Sequence, residues 1–398
     1  MINLLLLAHG AFVLGFDYLP DRVTGAIAGA LALGYAATVA AEWLSRRNLD
    51  LAPMLVPLAA ILLCWAIAAL HWQVEPTDFP PDFAHAARQA SVFVCFLAFM
   101  SARGRISAPV LGVVVAALAV SALAHALLLP RVTLNGTLRL PPFSGGLHTS
   151  GYLMVAAVLA VLALWQGGAW SRARALLVLA VLGGLLLGGA VRTPLLGLLV
   201  FAAGAWLSHE GQSPRARLVL RLLGLYLAFS ALVLLSVVEI RDFDQLSSGR
   251  IANYLERFDI LGARSPVTGL FGTGPGTDLL RTETWWWDYK DSHSDLLKYL
   301  WESGVIGVLA LLLWLAQIAS YRRGRLFALA LMLLVTSLVS NAFLTRPNAV
   351  FLLFAAQALA LAMRERKGVE ERPGSDPVQT RSARTARAEK ETHAVPRP

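Results

Sequence analysis

The chain has 398 residues, of which 57% are hydrophobic and 15% charged, and its mean hydropathy is +0.62. A composition this apolar excludes an ordinary soluble domain and predicts a protein whose solvent is the lipid bilayer. The net charge of +9 does not indicate nucleic-acid binding, because the arginines form short clusters between apolar runs instead of one basic face.

Apolar runs of about 20 residues, the length that one spanning helix needs, recur along most of the chain. We therefore predict an all-α polytopic membrane protein of about twelve helices. The seventh and eighth are short and could instead form a re-entrant pair around Arg192. The predicted helices are Ile2–Phe16, Val23–Leu44, Leu51–Leu70, Ala87–Met100, Ile106–Leu129, Gly146–Leu164, Ala175–Gly189, Leu195–Leu207, Leu218–Val238, Leu296–Ile318, Leu326–Leu344 and Val350–Met363.

Other local features agree with a chain embedded in lipid. Cys64 and Cys95 both fall inside apolar segments, so we expect core residues and neither a disulfide nor a metal site. The first segment has no basic region and no small-residue cleavage site, which favours a retained helix. The polar stretch 364–398 lacks apolar periodicity and is predicted to be a disordered tail.

Every second connection between the predicted helices is basic, and this bias sets the expected orientation. Because cytoplasmic loops retain Lys and Arg, both termini are predicted to be cytoplasmic, and the long loop 239–295 between helices 9 and 10 is predicted to face outward. The transmembrane domain then spans residues 1–363. The basic connections carry Arg46, Arg47, Arg103, Arg105, Arg172, Arg174, Arg215, Arg217, Arg322, Arg323 and Arg325.

Glycine-rich and histidine-containing motifs distinguish the long loop from ordinary membrane packing. It contains Gly249-Arg250, a glycine-rich segment from Pro266 to Gly276, and His293 just before a helix that carries Glu302 and Gly304. A loop of more than about fifty residues needs a function or disorder to explain it, and its glycines and aromatics argue against disorder. The glycine segment lacks the Lys-Ser/Thr ending of a nucleotide loop and follows no strand, so we expect a turn-rich platform.

Five residues are the first candidates for chemistry. His293 lies at the predicted water–membrane boundary, where an imidazole can act as a base, although an interfacial histidine without a role is the alternative. Arg192 interrupts two apolar segments, where an ionisable group is costly; its alternative is a snorkelling arginine in a turn. The planar fork of arginine suits pyrophosphate, which makes Arg250 and Arg139 candidate ligands together with Arg192, and Arg257 a weaker one.

Three further residues are candidate supports of the same site. Trp286 belongs to a run of three tryptophans that either stack on sugars or lie at the membrane interface. Glu302, on the first turns of the tenth helix, either orients the site or faces a cavity. His148 follows Ser144-Gly-Gly-Leu at another outward helix start, and its role stays open.

In their order, these features resemble the O-antigen ligase and polymerase superfamily of bacterial envelope glycosyltransferases. The resemblance rests on about twelve helices, the large loop between the ninth and tenth, Arg192 closing the seventh, and Gly249-Arg250 followed by the glycine-rich segment. It also rests on His293-Ser-Asp-Leu-Leu-Lys-Tyr-Leu-Trp-Glu302-Ser-Gly304. The chain departs from the family at Leu147-His148, where a Pro-Asn pair is common.

The resemblance implies a GT-C-like fold in the bacterial inner membrane and a site that faces the periplasm. It implies an inverting, metal-independent transfer, without a cofactor, of an undecaprenyl-pyrophosphate-linked glycan to a sugar hydroxyl of a lipid A–core acceptor. Carried onto this chain, Arg192 and Arg250, with Arg139, would bind the pyrophosphate, and His293 would activate the acceptor hydroxyl. Preorganised cations would stabilise the charge that grows on the leaving group.

Three alternatives remain open from the sequence. An O-antigen or exopolysaccharide polymerase would use the same donor but add the glycan to a lipid-linked repeat unit. A secondary transporter would predict inverted repeats and ionisable groups near the bilayer midplane, which the sequence does not suggest. A peptidoglycan polymerase of the shape-and-division group would rely on an outward acidic residue such as Glu239, Asp242 or Asp244.

Overall fold

The computed structural model describes residues 1–45, 49–134, 137–189, 191–208, 250–283, 286–324 and 326–370. These residues are mostly helical. The α-helices are α1 (Ile2–Gly15), α2 (Asp21–Leu44), α3 (Leu55–His71), α4 (Phe83–Ser101), α5 (Ala108–Leu128), α6 (Gly146–Gln166), α7 (Arg172–Gly188), α8 (Arg192–Leu207), α9 (Arg250–Gly262), α10 (Pro266–Phe271), α11 (Asp295–Gly324), α12 (Phe327–Val339) and α13 (Pro347–Glu370). Short 3₁₀ turns occupy Phe16–Tyr18, Leu49–Met54, Arg103–Arg105 and Phe343–Thr345.

Seven helices of the described residues, α2 to α6, α11 and α13, are long and apolar enough to cross a membrane. The helices α1, α8 and α12 are shorter and also apolar. The chain is therefore a mostly helical membrane protein, as its composition predicts. The count of about twelve stays a prediction, because the expected ninth helix, Leu218–Val238, lies outside the described residues.

Two short strands add a feature that the sequence did not predict. Strands β1 (Val132–Leu134) and β2 (Thr137–Arg139) form an antiparallel hairpin between α5 and α6. Three residues per strand carry too little alternation of apolar and polar side chains to stand out among apolar helices. The hairpin places Arg139 opposite Val132.

Several helix ends differ from the predicted ones by a turn or more. The helix α4 begins at Phe83 and not at Ala87, because the Asp82 carboxylate accepts a hydrogen bond from the Ala84 N–H at 2.8 Å. The helix α13 continues to Glu370, beyond the predicted end at Met363. The first residues of the predicted tail are thus helical, and residues 371–398 lie outside the description.

The core is centred on α6 and α13, which are the most buried of the seven long apolar helices. Phe351 and Phe354 of α13 are fully buried. Phe351 stacks on the His9 ring of α1 with centroids 4.0 Å apart, and Phe354 meets Phe96 of α4 edge-on at 5.2 Å. Such aromatic pairs fix the relative rotation of neighbouring helices as well as burying area.

Ion pairs join arginines of several basic connections to glutamates near helix ends, all at one end of the bundle. Arg105 pairs with Glu42 at the end of α2 at 2.7 Å, and both Arg103 and Arg322 approach Glu365 near the end of α13. These connections share one end, which is the pattern expected from alternating basic loops. The assignment of that end to the cytoplasm stays a prediction. We call the opposite end, where α9 and α10 lie, the His293 end.

Candidate active site

The helix α10 is fixed to the end of α3 by one carboxylate. Ser265 caps the helix, and the hydroxyls of Ser265 and Thr268 donate to Glu75 Oε2 at 2.7 and 2.6 Å. Burial alone would raise the pKa of Glu75, but these two hydrogen bonds, a third from the Ser265 N–H and the charge of Arg264 together outweigh it and lower the pKa to about 2. The loop that carries the glycine-rich segment is thereby attached to the membrane bundle at neutral pH.

The glycine-rich segment packs backbone to backbone against the start of α11. A Cβ on Gly272 (φ 81°) would collide with the backbone of Glu302, and one on Gly304 (φ 66°) would collide with the backbone of Leu270. The N–H of Gly274 donates to the carbonyl of Glu302 at 3.1 Å. The two glycine motifs are therefore the two halves of one contact that only glycine allows.

Glu302 is fully buried and joins three parts of the structure. Its carboxylate accepts hydrogen bonds from Gln89 Nε2 of α4 at 2.5 Å and from the Gly276 N–H at 2.8 Å. Lys298 Nζ lies 3.5 Å from Glu302 Oε1, and His85 Nε2 lies 3.6 Å from it. Of the two predicted roles, the geometry favours the orienting one, because both carboxylate oxygens already accept hydrogen bonds from the protein.

His293 is held by a carboxylate on its own loop. Its Nδ1 lies 2.5 Å from Asp291 Oδ1, and Asn341 Nδ2 donates to Asp291 Oδ2 at 2.5 Å. Burial by itself would raise the pKa of Asp291, but the hydrogen bond and charge of His293 outweigh that effect and hold the pKa well below its usual range. An ionised Asp291 fixes the proton on Nδ1 and leaves Nε2 as the basic atom.

The backbone of His293 adopts a left-handed conformation, with φ of 53°. Few residues other than glycine do so, and histidine and asparagine are among those that tolerate it best. The His293 N–H donates to Asp291 Oδ1 at 3.2 Å, and Tyr254 of α9 donates its hydroxyl to the His293 carbonyl at 3.2 Å. The imidazole, which is 39% exposed, is thus positioned from both its ring and its backbone.

A second buried carboxylate brings the connection between α12 and α13 to the same place. Asp295, the first residue of α11, accepts hydrogen bonds from the Ala342 N–H at 3.0 Å and from the Thr345 hydroxyl at 2.7 Å. This contact sets Asn341 beside Asp291 and holds Arg346 nearby. Arg346 in turn donates to the Thr149 hydroxyl of α6 at 2.6 Å.

Between these elements lies a polar cavity of about 150 Å³. Three permanent cations, Arg88, Lys298 and Arg346, line it together with the carboxylate of Asp291. Its other lining residues are His85, Gln89, Asn341 and Thr345. Within the described chain, the buried oxygens Gln89 Oε1 and Asn341 Oδ1 have no hydrogen-bond partner, so the cavity presents unused polar atoms as well as positive charge.

Three predicted site residues lie at the same end but outside the cavity lining. Leu140, which directly follows the hairpin, donates its N–H to the carbonyl of Gly188 at the end of α7. This hydrogen bond brings Arg139 to the side of the bundle where Arg192 begins α8. Arg192 is exposed, and Arg139 is half-buried with its Nε unpaired among the described residues. His148 lies on the first turn of α6, next to the Thr149 that binds Arg346.

The remaining predicted residues differ in how the structure treats them. Arg257 is fully buried, and its guanidinium donates to Asp278, Asn253 and the Lys290 carbonyl, so it is a structural ion pair and not a surface charge. Trp286 is 71% exposed and meets Trp287 edge-on. Arg250 is the first residue of α9, four positions before Tyr254, and its side chain lies outside the description.

Sequence reasoning missed Arg88, Lys298, Arg346 and Asp291. Arg88 and Lys298 carry a local signal, because each charge interrupts an apolar helix or lies near its start, as Arg192 does. Asp291 stands two residues before His293 and was not singled out. Arg346 carried no local signal, since an arginine between two helices is common.

The fold and the cavity together define a multi-helix membrane protein with a cationic, histidine-bearing polar site at one end of the bundle. Neither the protein-family models nor the curated proteins contain a match to this chain.

Proposed function

We propose that the chain is an O-antigen ligase-type glycosyltransferase. It would transfer an undecaprenyl-pyrophosphate-linked glycan to a sugar hydroxyl of a lipid A–core acceptor on the periplasmic face of the inner membrane. The observation that carries the proposal is the Asp291–His293 pair at the edge of a cavity with three cations. A base beside an anion-binding cavity, at one end of a membrane bundle, suits a reaction that breaks a lipid-linked glycosyl phosphate.

In this reaction His293 Nε2 removes the proton of the acceptor hydroxyl, whose oxygen attacks the anomeric carbon of the donor sugar. The bond between that carbon and the diphosphate oxygen breaks, and its electron pair stays on the diphosphate. The polyprenyl diphosphate leaves, the anomeric configuration inverts, and His293 returns its proton to water. Ionised Asp291 stabilises the imidazolium that forms in between.

The cavity cations suit the charge that develops on the leaving group. Arg88 has no ion pair or hydrogen bond to its guanidinium among the described residues, and Arg346 uses only part of its donor set on Asn341 and Thr149. Lys298 is partly balanced by Glu302. Fixed cations preorganised around a polar cavity stabilise a leaving diphosphate without reorganisation. Arg192, Arg139 and Arg250 remain predicted contributors around this centre.

The test is complementation of a ligase-deficient Gram-negative strain, with lipopolysaccharide examined on gels and the membrane level of each variant measured. The wild type should restore long-chain lipopolysaccharide and His293→Asn should not. Asparagine tolerates the left-handed backbone of residue 293 but supplies no base. His125→Asn, a histidine that binds Tyr18 away from the cavity, is the matched control and should restore it.

Other outcomes of that experiment discriminate between functions. If the wild type leaves unligated lipid-linked polymer in a strain whose core matches the acceptor, the ligase proposal is wrong. If it instead lengthens lipid-linked repeats in a polymerase-deficient strain, the site is that of a polymerase, which uses the same donor.

A further inference from the structure

A second cavity of about 150 Å³ lies beside the polar one and shares Arg88 with it. Its walls come from α1, α2, α4 and the first residues of α13, and they are mostly apolar. Pro347 and Asn348 line it directly after Arg346. The two cavities therefore meet at a cationic boundary, one side polar and charged and the other apolar.

The wall formed by α2 leaves room for a ligand. Gly25 and Gly29 lie one helical turn apart on that wall, and a Cβ built on either would meet nothing within 4 Å. Ala28 and Ala32 are similarly small neighbours along the same wall. The helix α2 is also the least buried of the seven candidate spans, at 22%, so this cavity lies at the lipid-facing edge of the bundle.

The few polar groups on the apolar side are satisfied by each other. His9 Nδ1 and the Tyr35 hydroxyl are 2.9 Å apart, and the His9 ring is stacked on Phe351. The exposed cation is Arg88, at the junction, and no described residue pairs with it. An anionic group would therefore pair with Arg88 at the junction, and a hydrocarbon chain would fit the apolar surface next to it.

We infer that this apolar cleft holds the first isoprene units of a polyprenyl diphosphate whose phosphates contact Arg88. The inference rests on the proposed function, which supplies the donor class, and it adds where the lipid part of the donor lies. A methyl-branched isoprenoid is bulkier than a linear acyl chain, and the small residues of α2 provide the corresponding width. The donor would enter this cleft from the bilayer at the weakly buried α2 side.

The experiment measures equilibrium binding to the full chain in nanodiscs for three probes: undecaprenyl diphosphate, inorganic pyrophosphate and dioleoyl phosphatidic acid. Gly29→Leu fills the cleft at a position with open space. Excluding two or more methylene-sized groups from apolar contact should weaken binding of undecaprenyl diphosphate about tenfold. Binding of inorganic pyrophosphate should not change. Gly184→Leu on α7, an exposed glycine with equally open space, is the matched control and should alter neither.

Arg88→Ala completes the design, because it should weaken both diphosphate probes. Unchanged lipid binding in Gly29→Leu would overturn the inference. So would an equal loss for phosphatidic acid, which would make the cleft a site for membrane phospholipid. Cleft-dependent binding by a wild-type protein that transfers no glycan would uphold this inference and refute the proposed function. Unimpaired glycan transfer and unimpaired lipid binding by Gly29→Leu would refute this inference and leave the proposed function standing.

Discussion

The hydrogen bonds around Asp291 predict what its amide analogue would do. In Asp291→Asn, keeping Asn341 Nδ2 as a donor requires the amide oxygen of residue 291 to face it. The new amide nitrogen then faces His293, where it donates to Nδ1 in place of the oxygen that now accepts from the His293 N–H. The imidazole then carries its proton on Nε2. That is the atom that should remove the proton from the hydroxyl of the acceptor sugar. The variant loses the usable tautomer of its base together with the acceptor of the His293 N–H.

The expected loss in kcat is between about 10² and 10⁴, because general acid–base catalysis contributes about that much and a catalytic histidine held in the wrong tautomer loses about 10⁴. The KM for the donor should stay the same or fall, because the substitution removes the one carboxylate among the described residues that line a cavity with three cations. A misfolded protein would not show that combination. The assay is glycan transfer by purified protein in nanodiscs, with donor and acceptor concentrations varied separately.

Exchanging the side chains of residues 291 and 341 tests the same hydrogen bonds. In Asp291→Asn combined with Asn341→Asp, the carboxylate introduced at position 341 accepts the amide hydrogens from position 291. The amide oxygen at position 291 can then accept again from His293 Nδ1. The double variant should recover at least about tenfold over Asp291→Asn, whereas Asn341→Asp alone brings two carboxylates together and should be impaired. Asp288→Asn, at an exposed pair with Lys290, should behave as wild type. A double variant no more active than Asp291→Asn would contradict the tautomer mechanism.

Three other predictions concern the surrounding structure. Arg346→Ala should raise the donor KM about tenfold to a hundredfold, measured by the same transfer assay, because it removes a charge-assisted contact to phosphate. Glu75 contributes its full stabilisation above about pH 4.5 and loses it as the pH falls through its folded pKa of about 2. The variant Glu75→Gln should lose on the order of 1 kcal/mol of stability at neutral pH, a small value because a quarter of the side chain is exposed. The rate of proteolysis near α10 measures this loss. Gly304→Ala should abolish accumulation of folded protein, measured by size-exclusion of detergent extracts, whereas Gly262→Ala, with open space around it, should not.

The class of fold was predictable because hydropathy alone separates a membrane bundle from a soluble domain. The loop between 250 and 294 was also recognisable as unusual, since its glycines and His293 have no role in generic packing. The sequence did not predict which of these residues contact each other in the folded chain. Glu302 and the glycine segment are both visible in the sequence, yet only the folded chain brings their backbones into contact.

The cavity cations show the same limit more clearly. Arg88, Lys298 and Arg346 belong to three helices or connections far apart in the chain, and nothing local marks them as neighbours. Arg192 and Arg139, two of the arginines that the sequence predicts for the site, lie at the same end because Arg192 begins α8 and Arg139 ends the hairpin that precedes α6. Convergence of distant charges is decided by helix packing, which periodicity does not encode.

The dependence of the cavity on Asp295 has a consequence for how the protein is made. Arg88 enters the membrane early in synthesis, whereas Asn341 and Arg346 arrive only after α12, and Asp295 then draws their connection into place. A nascent chain that has inserted α1 to α11 therefore has its histidine but not its finished anion site. If the chain acts as proposed, such an intermediate would neither hold nor cleave a lipid-linked sugar, so half-assembled molecules would not consume the cell's supply of carrier lipid.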